Sequence, residues 1–415
     1  MRKWAGAILG LALAGQAIGV HAEEADTVPE QEAPAIPVWE IGFSPEGLSG
    51  PGAAILEAEM ENAQFVALGE DHGYAAAPML ARGLAAEMRK DGQVHHAAEI
   101  GPHSEQVVKR ALTEGGVEEL ARVLKGKPLA IPFLGHREDA ELAQEFVRED
   151  GAVDLWGVDQ EFLGSPLLLL GRLAELAPSD DARQMIAEML DSDREAMATG
   201  DQEGLLMLSA PPEKFEALRA KFPDSGEAWA IIDSMAESAV IYQYNSARRY
   251  FDNNYERIEL IKQQFLAEYH RRYDEAPRVL LKMGAFHLGR GTTPTRMFDL
   301  GSLLPGLAAA NQKTSLHIVY GALDGEQLAM GPASEGYFQV RPVKDQLVTP
   351  LLEAAGMDLS AIGPTGHYLI PLDPIRRKLG GKGIGELGQL GQFLVLGFDY
   401  IVTTRAGRAA TPLVK

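Results

Sequence analysis

Apolar residues recur along this chain in two rhythms. The short continuous runs Phe65–Leu68, Val94–Ile100 and Val153–Val158 read as strands buried on both faces. The stretches between them, Pro78–Arg89, Ser104–Leu124 and Ala140–Arg148, carry apolar residues at the spacing of amphipathic helices. Strands alternating with helices predict a mainly parallel sheet covered on both faces, and this pattern fills residues 39–165. From Pro166 the strand-like runs stop. Residues 166–275 hold the amphipathic stretches Leu167–Leu176, Asp181–Leu190, Pro212–Lys221, Glu227–Tyr244 and Asn254–Arg272, which predict a helical insert. Alternation returns over residues 276–415, with strands predicted at Val279–Leu281, Leu316–Tyr320, Phe393–Leu396 and Tyr400–Thr403. The expected fold class is therefore α/β, a mainly parallel sheet core built from two related halves with a helical insertion.

The first residues follow another pattern. Arg2 and Lys3 precede an uncharged apolar stretch from Ala5 to Val20, and Val20-His21-Ala22 leads into Glu23, the form of a secretory signal peptide cleaved after Ala22. Gly10, Gly15 and Gly19 interrupt that stretch, which is short for a span of about 20 strongly apolar residues. Residues 1–22 are thus expected to be a signal peptide and residues 23–38, rich in Glu, Pro and Ala, a solvated linker. The mature chain is then periplasmic or secreted, with no membrane span. The absence of cysteine excludes disulfides, thiol nucleophiles, thiolate metal ligands and a lipidated cysteine. A formal charge of −21 with no basic stripe argues against nucleic acid as a partner; the partner expected instead is a small-molecule or peptide substrate.

Two segments carry the candidate chemistry. Gly69-Glu70-Asp71-His72 follows Phe65–Leu68, and Gly284-Ala285-Phe286-His287 follows Val279–Leu281, so each sets a histidine three residues beyond a glycine at a strand end. The carboxyl ends of strands are where open α/β sheets hold their ligands. Glu99 lies in the apolar run Ala97-Ala98-Glu99-Ile100, where an unpartnered carboxylate is costly to bury, and a histidine is its natural partner. No G-x-S-x-G elbow, H-E-x-x-H helix or P-loop is present, which disfavours serine hydrolases and zincins. Glu70, His72, Glu99 and His287 remain as a set able to activate water without a protein nucleophile. The same His72, Glu99 and His287 could instead hold a divalent metal ion, and the residues alone leave both routes open. His95, His96 and His103 flank the Glu99 strand, Asp159 follows another strand-like run, and Arg248 and Arg249 lie on the insert. Gly380–Gly385 reads as a flexible surface loop.

At these residues the chain resembles the superfamily of erythromycin esterase-like hydrolases, ChaN-like haem-binding lipoproteins and TraB/GumN/Tiki-type proteins. Val66-Ala67-Leu68-Gly69-Glu70-Asp71-His72-Gly73 is similar to its first signature, and Glu99 falls where the family has a strand-borne glutamate. Gly284-Ala285-Phe286-His287-Leu288-Gly289 resembles the second signature of the TraB/GumN branch. Gly157-Val158-Asp159, Phe298-Asp299-Leu300-Gly301 and Phe398-Asp399-Tyr400 are similar in order to the erythromycin esterase branch. Against that branch the first signature is one residue shorter, and Gly284-Ala285 stands where it has a His-Asn pair. The resemblance implies a two-half α/β fold whose cleft holds His72, Glu99 and His287, and hydrolysis of an ester, lactone or amide. The alternative it implies is a periplasmic haem- or metal-binding protein of the ChaN type without catalysis.

Overall fold

The computed structural model describes residues 35–414 apart from 128, 224–225, 273–275 and 332–335. The expected signal peptide and residues 23–34 of the expected linker lie outside the described residues. Residues 35–38 are not a solvated tether, because Ile36 and Val38 pack against a buried apolar cluster.

Among the described residues eleven strands are formed: β1 Trp39–Ser44, β2 Gly47–Ser49, β3 Ala63–Glu70, β4 Val94–Ala98, β5 Leu155–Gly157, β6 Arg278–Gly284, β7 Thr314–Ala322, β8 Glu326–Met330, β9 Phe338–Pro342, β10 His367–Pro371 and β11 Tyr400–Thr404. Nine of them make one sheet in the order β2-β1-β10-β11-β7-β3-β6-β4-β5. The run from β11 to β5 is parallel, and β1, β2 and β10 add an antiparallel edge. Both chain segments that alternate strands and helices feed this one sheet, with β3 seated between β6 and β7. The two glycine-histidine segments therefore leave neighbouring parallel strands at the same edge.

Strand parity sorts the side chains. On β3, Val66 and Leu68 join one core with Leu80 and Leu84 of the Ala76–Arg89 helix. Phe65 and Ala67 face the opposite core, with Leu281, Phe265 and Leu300. The insert has its own core, around Leu170, Ile186, Phe215 and Ile232. Its last helix, Tyr250–His270, leaves that core and covers the sheet, burying Ile261, Phe265 and Tyr269 against β3 and β6. Burial of this kind is worth roughly 1.5–3 kcal/mol per large apolar side chain. The helix is thereby fixed in rotation, and Arg257, four residues before Ile261, is directed to the strand ends.

Two further expectations fail. Phe393–Leu396 is not a strand but part of the Gln389–Gly397 helix, since a short apolar run fits either element and Phe393, Leu394 and Val395 are buried in both readings. Gly380–Gly385 is not a loop but lies in the Leu372–Glu386 helix, kinked at Gly380, with Ile384 packed on the core behind it. Among the described residues no helix is long and apolar enough to cross a membrane.

Candidate active site

The parallel strands end on one side, and their ends line a pocket of about 470 Å³. Glu70 is the last residue of β3, and His72 lies in the turn after it. Glu99 follows β4, Asp159 follows β5, and Gly284 closes β6 ahead of the short helix Ala285–Leu288 that carries His287. All six residues line the pocket. The four sequence-predicted residues Glu70, His72, Glu99 and His287 therefore converge, although 217 positions separate Glu70 from His287 in the sequence.

Glu99 is the centre of the arrangement. Its Oε2 accepts the Gly284 backbone N–H at 2.7 Å and lies 3.3 Å from His72 Nε2. Its Oε1 accepts from Arg257 Nη2 at 2.9 Å and lies 3.5 Å from His287 Nε2. Each imidazole is held from behind by a second carboxylate: His72 Nδ1 by Glu70 Oε1 at 2.9 Å, and His287 Nδ1 by Asp299 Oδ2 at 2.9 Å. Asp299 also caps the Leu300–Ala310 helix through the Leu300 N–H. The Phe133 ring stacks on His72 with centroids 3.5 Å apart, from a backbone with φ 54°. Glycine at 284 is a packing requirement, because a Cβ there would meet His72 Nε2 at 2.9 Å.

Burial works against charge on both imidazoles, but the facing carboxylates prevail. The Glu99 charge and the Glu70 hydrogen bond carry His72 up to about 9. Asp299 and Glu99 carry His287 up to about 10, against opposition from Arg257. For Glu99 burial again opposes ionisation, and the two histidines hold its carboxyl well below the usual range. Near neutral pH the site is thus a carboxylate between two imidazolium ions, with the Arg257 guanidinium on one of its oxygens.

This closed arrangement does not suit a metal ion. Among the described residues no group of three or more His, Asp or Glu side chains is disposed to hold one. Both oxygens of Glu99 already accept hydrogen bonds, both Nδ1 atoms face carboxylates, and Arg257 would repel a cation beside Glu99. The metal-ligand expectation for His72, Glu99 and His287 has no cage to support it here.

Of the other predicted residues, Asp159 is on the pocket, where it takes Arg257 Nε at 3.0 Å and Nη2 at 2.5 Å. His95 is turned away, stacked on Trp156 and 3.4 Å from Asp154. His96 is buried against the Leu280 carbonyl, and its burial pushes it down to about 4. His103 lines a separate cleft beside the Gly226–Ser246 helix. Arg248 and Arg249 are exposed. The sequence reading missed Arg257, Asp299 as the partner of His287, and Phe133. A basic residue in register with Ile261 and Phe265 on the apolar stripe of a helix, and an aspartate placed to cap a helix, were the available signals for the first two. Phe133 had none.

No family model and no curated protein matches this chain. Solved structures do. An erythromycin esterase, EreC, in its open conformation as a point mutant superposes with a TM-score of 0.58 at 17% identity, covering 89% of this chain and 98% of that one. A Bacillus cereus protein superposes with a TM-score of 0.53 at 11% identity, covering 90% and 96%. A succinoglycan biosynthesis protein gives 0.51 at 14% identity, also covering 90% and 96%. The chain therefore shares its fold with these three structures over most of its length.

Proposed function

We propose that this chain is a hydrolase that activates water with His72 to cleave an ester, lactone or amide bond. The observation that supports this most is the double pairing at Glu99: two imidazoles from neighbouring parallel strands meet one carboxylate in a solvent-reachable pocket, each with a carboxylate behind it. Once His72 loses its proton, Nε2 becomes an acceptor beside Glu99 Oε2, and a water on the pocket side can donate to both. His72 takes one proton from that water, and the oxygen attacks the carbonyl carbon. The oxyanion that forms is met by the Nε2–H of His287, which stays an imidazolium at that pH because its proton affinity is the higher of the two. Collapse of the intermediate breaks the bond to the leaving alcohol or amine, which takes up a proton from an imidazolium. Glu70 fixes the His72 tautomer, Asp299 does the same for His287, and Glu99 holds the two rings in mutual register. The shared fold with an erythromycin esterase structure supports the reaction class, and the amino-terminal pattern supports export as part of the same proposal.

The test is a broad screen of ester, lactone and peptide substrates with purified mature protein and its His72→Asn variant. Turnover that falls by about 10² to 10⁴ in the variant supports the assignment, since that is the usual contribution of a general base. Turnover that survives the substitution overturns it, as does stoichiometric haemin binding with no turnover at all, the result expected of a binding protein.

A further inference from the structure

Behind His72, Lys282 and Asp139 extend Glu70 into a buried ion cluster, and the hydrolytic steps use neither of these two residues. Lys282 interrupts the apolar β6 sequence Val279-Leu280-Leu281-Lys282-Met283, and strand parity puts it on the same sheet face as Leu280. The register pairs Leu68 of β3 with Lys282 and Glu70 with Gly284, so Lys282 and Glu70 are diagonal neighbours on that face. Lys282 Nζ lies 2.5 Å from Glu70 Oε1 and 2.7 Å from Asp139 Oδ1, and all three side chains are buried. Glu70 Oε1 thus serves Lys282 and His72 Nδ1 together, while among the described residues Glu70 Oε2 has no hydrogen-bond partner.

We propose that Lys282 is a positioning residue that fixes Glu70 behind His72 and, balanced by Asp139, sets how strongly His72 holds its proton. The proposal deepens the hydrolase reading above and rests on it. A buried ammonium is costly without partners, and apolar residues would fill this place in the sheet at less cost, so its position at the back of Glu70 calls for a reason. Electrostatics supplies one. The ammonium draws on the same carboxylate oxygen that accepts from His72, which limits the pull of Glu70 on the imidazolium proton. Asp139, held at about 2 by Lys282 and His136 against the effect of burial, offsets that ammonium. The charged and titratable groups facing this cluster are Glu70 and His72 from β3 and its turn, Tyr74 just beyond that turn, Tyr320 paired to Glu70 from β7, His96 and Glu99 from β4 and its end, and His136 and Asp139 from the segment around the Arg137–Gln144 helix. Arg257 stands beyond Glu99, and Arg89 acts on His96.

The signs make this testable. Removing the positive charge in Lys282→Met raises the proton affinity of His72, and removing the negative charge in Asp139→Asn lowers it, by about one pH unit each for charges at this range. Lys282→Arg keeps the charge and stays near the parent value. Simple loosening of the site would instead move both charge-removing variants the same way, down toward the ordinary histidine range. The readout is NMR titration of the full chain with labelled histidine, His72 being assigned by its loss in His72→Asn, together with the acidic limb of kcat/KM against pH. Opposite shifts support the proposal; shifts in one direction, or none, overturn it. If Lys282→Met fails to fold, Asp139→Asn and Lys282→Arg decide together: a downward shift in the first with none in the second supports the assignment, and any other combination overturns it. The titration needs no substrate, so opposite shifts in a protein without turnover would keep this role for Lys282 and discard the hydrolase reading.

Discussion

Replacing Asp299 by asparagine separates the two histidines of the site. Asp299 Oδ2 lies 2.9 Å from His287 Nδ1, and its Oδ1 caps the following helix through the Leu300 N–H. Asparagine is as good a cap as aspartate, so the helix keeps its end while His287 loses the charge behind it. A hydrogen bond to a charged group is worth about 1.5–3 kcal/mol and a neutral one about 0.5–1.5 kcal/mol, a difference of about 1–1.5 kcal/mol. At 1.36 kcal/mol per pH unit this moves His287 down by about one unit. In the parent protein kcat/KM should rise as His72 deprotonates near 9 and fall as His287 deprotonates near 10. In Asp299→Asn the alkaline limb moves down to meet the acidic one, so the bell narrows and its peak drops, while the acidic limb stays in place. The assay is the pH dependence of kcat/KM on any ester the protein cleaves. An acidic limb that moves with the alkaline limb fixed would refute the assignment of base and acid, and an unchanged profile would refute the role of Asp299.

Other outcomes follow from the same geometry. His287→Asn should lower kcat by about 10² or more while leaving the acidic limb visible, as expected on loss of an oxyanion donor. Arg257→Gln leaves buried Asp159 without its counter-charge and takes a donor from Glu99, so it should destabilise by roughly 3–5 kcal/mol in chemical denaturation; a cost below about 1 kcal/mol would show a bridge no stronger than a surface pair. Phe133 sits at φ 54°, so Phe133→Gly should be more stable than Phe133→Ala by about 1 kcal/mol even though both lose the stack on His72; the reverse order would mean that the turn is unstrained. Stability should also depend on pH above neutrality. His72 and His287 have folded-state values above the unfolded one of about 6.5, so their contribution is full below that value and is lost as pH rises through 9 to 10. Thermal unfolding from pH 6 to 10.5 should show the midpoint falling over that range, and in His72→Asn/His287→Asn the fall should flatten.

Much of the site was legible because the sequence carried its chemistry in short local patterns. A glycine turn after a buried run announces a strand end, and a carboxylate in an apolar strand announces a partner, so His72, Glu99 and His287 could be named and placed at one edge of a parallel sheet. The rest depended on contacts set by tertiary packing. Arg257 reaches Glu99 because Ile261 and Phe265 fix the rotation of a helix that, by periodicity alone, belonged with the insert. Asp159 was legible only as a residue after a strand-like run, and its tie to Arg257 could not be read without that rotation. The antiparallel edge of β1, β2 and β10 was missed because β1 and β2 are short and mostly only part-buried, while β10, buried from Tyr368 to Pro371, is a short run that ends in a proline. Phe393–Leu396 was misread for the opposite reason, being apolar enough to fit either element. Lys282 was legible in principle, since a lysine inside Val-Leu-Leu-Lys-Met raises the same question as Glu99 in its own run.

The central claim is that His72 and His287 titrate as partners of one carboxylate. Histidine titration by NMR in the parent protein and in Glu99→Gln tests this without any substrate. Both imidazoles should titrate above pH 8 in the parent, and both should drop together by about one unit or more when the Glu99 charge is removed. Either ring titrating near 6.5 in the parent, or only one of them responding to Glu99→Gln, would contradict the account.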